Sequence, residues 1–453
     1  MSTIAEQLAH AAQGVRANEL PAAVRRVAAD LILDVAGLCV AARGTDYIAA
    51  VLRSVEPGGA CTAIGHPGGY AALDAALING IAAHGEDYDD TFEGGPVHAG
   101  AVIVPAVLAA AERYGASGDA ILRGLATGTE TMCRLGLVAP MRVHKAGFHP
   151  TSVFGAIGSA LAAAVTLGLD EKQTVDALGI VGSMAGGIIE YLAEGAWTKR
   201  LHAGWAAQSG IRAALLARGG FVGPRTVFEG THGLFFGFAN TADGDFTPLT
   251  GGFGSEWVME TVAFKPYACG TMIHPYIDCA IRLAARGVSA DAIATIECDT
   301  AEGIVHRLWE PLAGKQAPPN AYAAKFSTPF CMALGFIRGD VGLGAFTEEA
   351  AHDPQVRALA AKIRYRIDPE NPYPHAFTGH LRATLTDGST IEERQPHFRG
   401  GAQEPLTSAE IEAKFVANAA FGGWSPEQTA AARETLRQIL TREHDVVNID
   451  RLR

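Results

Sequence analysis

A chain of 453 residues, 48% apolar and only 19% charged, has the length for a large core and for two domains. A formal net charge of -12 and an isoelectric point near 5.7 argue against nucleic acid or an anionic membrane surface as a partner, and an anionic substrate would need a locally basic pocket. The seven cysteines are scattered singly with no Cys-x-x-Cys pair, which argues against an iron-sulfur cluster or a structural zinc.

Taken in order, the chain opens with Met1 to Gln13, short, polar and amphipathic, unlike a secretory signal. An odd cysteine count without such a signal suits a reducing cytoplasm, with the thiols acting as small core residues. From Ile4 to about Phe236 the spacing of Ala, Leu and Val by threes and fours predicts helix almost throughout. Leu20-Pro21 opens a helix reaching Arg43, and Ala50 to Val55 belongs to another. Ala71 to Asp87, Val102 to Gly115, Asp119 to Leu137, Pro150 to Leu167, Asp170 to Leu192 and Leu201 to Arg218 follow. The runs Val153 to Leu167 and Leu178 to Ile189 are rich in Gly and Ala and short for a bilayer, and they read as buried, closely packed helices. Only Thr62 to Ile64 reads as a strand in this part. No dinucleotide fingerprint or phosphate loop stands out; Gly219-Gly220 leads into a Phe-Val-Gly-Pro turn.

After Phe264 the pattern changes. Ala292 to Cys298, Ile363 to Ile367 and Leu381 to Leu385 alternate like half-buried strands, the last turning at Asp387-Gly388 into Ser389 to Arg394 as a hairpin. Helices are predicted at Ile277 to Arg286, Phe326 to Ile337 and Pro354 to Lys362, which makes an α+β insertion of about 135 residues, the size of a small domain. Helix returns at Ser408 to Ala420 and Pro426 to Glu443, a tail that packs back on the first domain. The boundaries are 1–265 with 401–453 for the helical domain and 266–400 for the insertion.

The densest chemistry lies in His84-Gly-Glu86-Asp87-Tyr-Asp89-Asp90-Thr91-Phe-Glu93-Gly-Gly-Pro-Val-His98-Ala-Gly100. Were the helix from Ala71 to continue through Asp90, then Asp87, Asp90 and Thr91 would share one face, and Gly94, Gly95 and Pro96 would break it so that a loop presents His98. Asp89, Asp90 and Glu93 read equally as a solvated helix end. Asp87 with His98 is a better candidate, since a carboxylate that orients an imidazole is the usual way to build an acid or base working near neutral pH.

Three further stretches add polar groups. Thr151 or Ser152 is predicted to cap a small-residue helix, with His149 beside its positive end; a packed histidine satisfied by backbone is the alternative. Lys199, Arg200 and His202 fall on one turn entering a helix, an unusual place for cations unless they face an anion or nearby acids. Lys265 marks the junction of the two predicted domains, where ligand clefts are common, although it also reads as a surface residue, as does Lys325. Lysines and arginine can hold the carboxylates of a small acid while an imidazole moves a proton at the adjacent carbon, which is lyase or epimerase chemistry.

Ala83 through Pro105, in the form A-H-x-x-D-x-D-D-T followed by a histidine and an apolar helix, resembles the 2-methylcitrate dehydratase (MmgE/PrpD) family. So do Gly147-Phe-His149-Pro-Thr-Ser, Lys199-Arg-Leu-His202-Ala-Gly with Ala206-Ala207, Gly220-Phe-Val-Gly-Pro224, Lys265-Pro-Tyr with His274-Pro275, Ala324-Lys-Phe-Ser327, and Gly400 to Phe415 with its Pro405-Leu406 and Lys414-Phe415. The matches keep their order over almost the whole chain. The resemblance implies a mainly α architecture: a large all-helical domain from both chain ends, an inserted smaller α+β lid domain, and a homodimer. It implies a lyase without metal or organic cofactor, the family including 2-methylcitrate dehydratases, cis-aconitate decarboxylases and an iminodisuccinate epimerase. Carried over by motif, Asp87, His98 and His149 are catalytic, and Thr91, Lys199 and Lys265, with Arg200 and His202 beside them, bind substrate. The reading is a dehydratase-type lyase on a small di- or tricarboxylic acid, with epimerisation or decarboxylation of a related acid as the alternative. Two departures bear on substrate: His98-Ala-Gly100 stands where many relatives read His-Pro-Ser, after a Gly-Gly-Pro-Val approach one residue longer. Thr328-Pro-Phe330 stands where decarboxylating relatives place an aromatic hydroxyl. Two readings from other classes are a magnesium-diphosphate site on the acids of Asp87-Tyr-Asp89-Asp90-Thr-Phe-Glu93, which lacks a second acidic motif, and a non-catalytic protein that senses a carboxylic acid.

Overall fold

The computed structural model describes residues 2–241, 243–441 and 445–453. The protein is mainly α, with small sheets. It divides into two compact units, Met1–Val262 with Thr407–Arg453, and Ala263–Leu406.

The first unit is organised around the helix Pro150–Thr166, every residue of which is buried. It packs against Gly118–Val138, Thr198–Arg218, Gly100–Tyr114 and Glu171–Gly182. Small residues permit this. A side chain on Gly124 or Gly210 would overlap the hydroxyl of Thr166 or Ser159, and one on Gly158 would stand 3.0 Å from the Gly128 carbonyl. The helices Ala72–His84 and Thr198–Arg218 cross as closely: a Cβ on Gly80 would lie 2.6 Å from Gly204 Cα, and one on Gly204 would overlap the Leu77 carbonyl. That crossing brings the end of the first helix beside the beginning of the second. The C-terminal helix Ser408–Phe421 lies on Ala22–Ala42, with Phe415 against Gly37.

The second unit holds a four-stranded sheet in the order Ile363–Ile367, Ile293–Thr300, Gly379–Leu385, Thr390–Gln395; the first pair is parallel and the others antiparallel. Ile296, Cys298 and Thr300 alternate inward, and Gly388 turns the hairpin at φ +87°. The helices His274–Ala285 and Thr328–Arg338 pack together, and the former also lies on the sheet.

Several boundaries differ from the sequence expectation for identifiable reasons. The helix from Ala72 ends at His84 rather than reaching Asp87, because Tyr47 packs on Gly85 where any side chain would collide and the following carboxylates take other partners. The helix Glu171–Gly182 stops ten residues short of Leu192; Gly187 at φ +113° lies in the irregular segment that follows. The early strand is Pro57–Thr62, paired with Gly69–Tyr70, because the Asn79 amide takes over at the Thr62 carbonyl and the Ile64 N–H. The short helix lies at Asp46–Leu52 rather than 50–55, and Thr198 rather than Leu201 opens the long helix ending at Arg218. Ser327 caps the helix expected from Phe326 and starts it at Thr328. The helix from Pro354 ends at Ala360. The last helix is Pro426–Ile439; of its expected extension, positions 442 and 443 lie outside the described residues. Among the described residues no helix is long and apolar enough to cross a membrane, and all seven cysteines are buried free thiols.

Because the Gly204 position abuts backbone that has no room to retreat, Gly204→Ala is expected to cost about 1–3 kcal/mol of stability. Gly237→Ala, where an added methyl meets nothing within 4 Å, should stay within about 0.5 kcal/mol of the parent. Calorimetric melting of the two variants checks the contrast.

Candidate active site

The site is built where the helix Ala72–His84 ends. Its last residue, His84, is buried, and five residues on Asp89 turns back so that its Oδ2 accepts from His84 Nδ1 at 2.6 Å. The same oxygen stands 3.5 Å from Nδ1 of His98. Asp90 is spent differently: its two oxygens accept the Ala99 and Gly100 N–H groups at 3.0 and 2.9 Å, satisfying the first turn of Gly100–Tyr114. Burial first, and then the neighbouring Asp89 charge, push the Asp90 carboxyl up to about 8 against those two bonds. A side chain on residue 100 would overlap Asp90, so the glycine there makes room for this cap.

Asp87 has φ +57°, an uncommon conformation for a residue with a side chain. Its carboxylate meets Lys199 Nζ at 2.5 Å. The expected shared helix face of Asp87, Asp90 and Thr91 is therefore not formed: Thr91 opens a two-residue strand, Thr91–Phe92, and each buried acid answers a different group. A magnesium-diphosphate reading needs those acids to converge; Asp87 faces a lysine, Asp90 caps a helix and Glu93 is exposed.

His98 lies in the loop before its helix, as the Gly-Gly-Pro sequence suggests. Its backbone N–H donates to Thr151 Oγ1 at 3.3 Å, and its Nδ1 stands 2.6 Å from the Asp90 carbonyl. His149 itself occupies the N-cap of Pro150–Thr166, so Thr151 and Ser152, expected as caps, fall inside the first turn. The His149 N–H donates to the Gly187 carbonyl at 2.8 Å. Its Nδ1 lies 3.0 Å from Nδ1 of His202, one nitrogen donating and the other accepting. Four imidazoles thus form one cluster: His84 lies 4.9 Å from His98 and stacks on His149 at 5.6 Å, and His149 lies 5.2 Å from His202. The Tyr191 ring closes one side, 5.9 Å from His149 and 5.7 Å from His202.

Lys199 and His202 share one turn of the helix Thr198–Arg218, and the Gly80/Gly204 crossing aims them at the end of the His84 helix. Arg200 faces elsewhere: its Nε donates to the Gly85 carbonyl at 2.9 Å and its guanidinium covers the Tyr47 ring at 4.4 Å, bracing the turn that carries Asp87. Lys265 is buried within the second unit, as is Lys325 over the Phe346 ring. His84 and Asp89 belong to the acidic stretch but received no role of their own from spacing. The available signal was a histidine closing an otherwise apolar helix, answered by an acid five residues later.

The ligand atoms of His84, Asp89 and His98 lie within 4.8 Å of one another, close enough to be tested for a metal ion. Two donors each about 2.1 Å from one ion would stand about 3 Å apart or more. The 2.6 Å between His84 and Asp89 is instead a charge-assisted hydrogen-bond distance, so the trio as arranged holds a proton.

Electrostatically the interior favours neutral rings. Burial first, then His84, Lys199, His202 and His98, hold the His149 imidazole well below its usual range. Burial, then His84 and Lys199, lower His202 to about 4. At neutral pH these two share a single N–H···N bond without charge, beside a lysine whose charge Asp87 answers.

A mainly helical protein with a buried imidazole and carboxylate centre is thus the class that fold and site define. The chain belongs to the MmgE/PrpD family: residues 6–247 match the MmgE/PrpD N-terminal domain and residues 267–440 the MmgE/PrpD C-terminal domain. It is similar to the cis-aconitate decarboxylase of Mus musculus, 29% identical over 92% of this chain and 87% of the relative. The cis-aconitate decarboxylase of Aspergillus terreus is 28% identical over 91% and 89%, and that of Homo sapiens is 31% identical over 76% and 72%.

The depressed imidazoles give the folded state a pH dependence with a definite sign. Below about 6.5, the unfolded value, the unfolded chain takes up protons that the fold refuses. The stability held by His202 is therefore complete above that pH and lost as pH falls toward about 4, on the order of 3 kcal/mol. Asp90, raised to about 8, acts with the opposite sign, so the test is a difference: urea midpoints of wild type and His202→Gln between pH 4.5 and 7.5 should converge as the pH falls.

Proposed function

We propose that this protein is a cofactor-independent lyase that moves a proton beside a carboxylate of a small polycarboxylic acid, and that loss of carbon dioxide from an unsaturated tricarboxylate of the cis-aconitate kind is its reaction. The observation that carries the reading is the cluster itself: His98 and His149 in a buried imidazole array, with Lys199 held beside it by Asp87. The names of the relatives choose decarboxylation among the reactions such a cluster could run.

In that reaction the bond between a carboxylate and its CH2 carbon breaks. The electron pair spreads over the adjacent double bond toward the remaining carboxylates, and a proton delivered to carbon restores neutrality. Lys199 holds a remaining carboxylate; His98 or His149 supplies the proton. Asp87 aligns Lys199, while Thr91 and His202 complete the polar lining and Arg200 supports it through Gly85.

The second reading is the hydro-lyase one: a base removes the proton beside a carboxylate and hydroxide leaves a hydroxy acid of the 2-methylcitrate kind. The feature in its favour is Thr328, a buried residue at the start of a helix where an aromatic hydroxyl marks decarboxylating relatives. A homodimer belongs to the proposal. Trp197, Leu201 and Trp205 follow one another at every fourth residue and are 50%, 41% and 47% exposed. A second copy covering that apolar strip would press on the segment that carries Lys199.

Incubation in deuterated water with cis-aconitate, 2-methylcitrate and an iminodisuccinate-like acid, followed by proton spectroscopy, separates carbon dioxide loss, water loss and inversion. Decarboxylation of cis-aconitate is the expected result, with His98→Ala lowering kcat about 10²–10⁴-fold and Lys199→Ala raising KM. Folded protein inert toward the whole panel would overturn the proposal. Light scattering should give twice the 47.3 kDa chain mass, and Trp205→Glu should shift that mass toward the monomer.

A further inference from the structure

We infer that the buried pair His84–Asp89 is a positioning device for His98: its carboxylate faces Nδ1 of both imidazoles and, together with the Asp90 carbonyl, keeps the His98 hydrogen on Nδ1 so that Nε2 serves for proton transfer. This rests on the lyase reading for its consequence in turnover, though not for its structural content.

Burial separates the roles. The side chains of His84 and Asp89 are 0% exposed, whereas that of His98 is 14% exposed. Of the three, His98 is the one a small molecule can reach, so the pair acts through it.

The tautomer follows from the acceptors. His98 Nδ1 stands 2.6 Å from the Asp90 carbonyl, and a carbonyl oxygen can only accept. Nδ1 of His98 therefore carries its hydrogen whether the ring is neutral or charged. Nε2 is left as the atom that gains or loses the proton.

The same accounting applies to His84. Its Nδ1 donates to Asp89, and its Nε2 has no hydrogen-bond partner among the described residues. A second N–H on that ring would be a charged, buried donor without an acceptor, which is costly. His84 therefore carries its hydrogen on Nδ1, aimed at the Asp89 charge. That charge, 3.5 Å from His98 Nδ1, favours the imidazolium that His98 becomes on taking a proton, the logic of a carboxylate behind a catalytic histidine. The His84 ring also stacks on His149 and lies tilted against His98, so its removal would loosen both.

The experiment uses full-length protein labelled with ¹⁵N-histidine, the His98 signals being identified by their loss in His98→Ala. In wild type His98 should show hydrogen on Nδ1 and His84 likewise; His98 with hydrogen on Nε2 alone would overturn the inference without any appeal to turnover. With the acid that wild type consumes, Asp89→Asn should lower kcat about 100-fold or more while KM moves less than threefold. His84→Asn, whose amide can still donate to Asp89, should retain activity within about tenfold; His84→Leu should fall as far as Asp89→Asn. A folded Asp89→Asn protein with kcat within threefold of wild type overturns the inference, as does a stoichiometric metal ion in purified wild type. If no acid on the panel turns over, the functional proposal fails, yet the nitrogen spectra still decide the tautomers.

Discussion

Three carboxylates within four residues, all buried, are the constraint to which the first unit answers. Asp87, Asp89 and Asp90 cannot share one dry face, because unmatched charges in a low-dielectric interior repel one another and each loses its hydration. The fold resolves this by sending each to a different partner: Lys199 for Asp87, two imidazoles for Asp89, a helix N-terminus for Asp90. Breaking the helix at His84 and placing Asp87 in a left-handed conformation are the local costs of that arrangement.

The remainder of the unit holds this turn in place. From the C-terminal helix, Lys414 reaches the Tyr88 carbonyl at 2.7 Å and the Asp34 carboxylate at 2.8 Å, with its charge over the Tyr88 ring. Residues near opposite ends of the chain thus clamp the residue between Asp87 and Asp89. Arg200 and Tyr47 brace Gly85 from the other side. The small-residue crossings supply the rigidity: with Gly80 and Gly204 nearly in backbone contact, the His84 and His202 helices have little freedom to slide. That packing also fixes the separations within the imidazole cluster.

The sequence made much of this legible. Spacing by threes and fours located the long helices, and alternation located the strands of the second unit to within a few residues. Ordered motifs pointed to the family, and the candidates His98, His149, Lys199 and His202 proved to be spatial neighbours with Asp87 although they are scattered over more than a hundred positions. Less legible were helix ends such as His84 and Gly182, which depend on where a distant Tyr47 or a left-handed glycine sits. The different partners of Asp89 and Asp90 were also hidden, because two adjacent aspartates are equivalent until one of them finds a helix N-terminus.

By itself the sequence determined the mainly helical character, the change to α+β after residue 264 and the stock of imidazoles and cations, because periodicity and composition are local properties that each segment carries with it. Tertiary structure alone decided which acid answers which base. Asp87 meets Lys199 across 112 positions, and His149 meets His202 across 53. Such pairings are selected only when packing has removed water from around both groups, so that an unmatched charge or donor becomes too costly to leave.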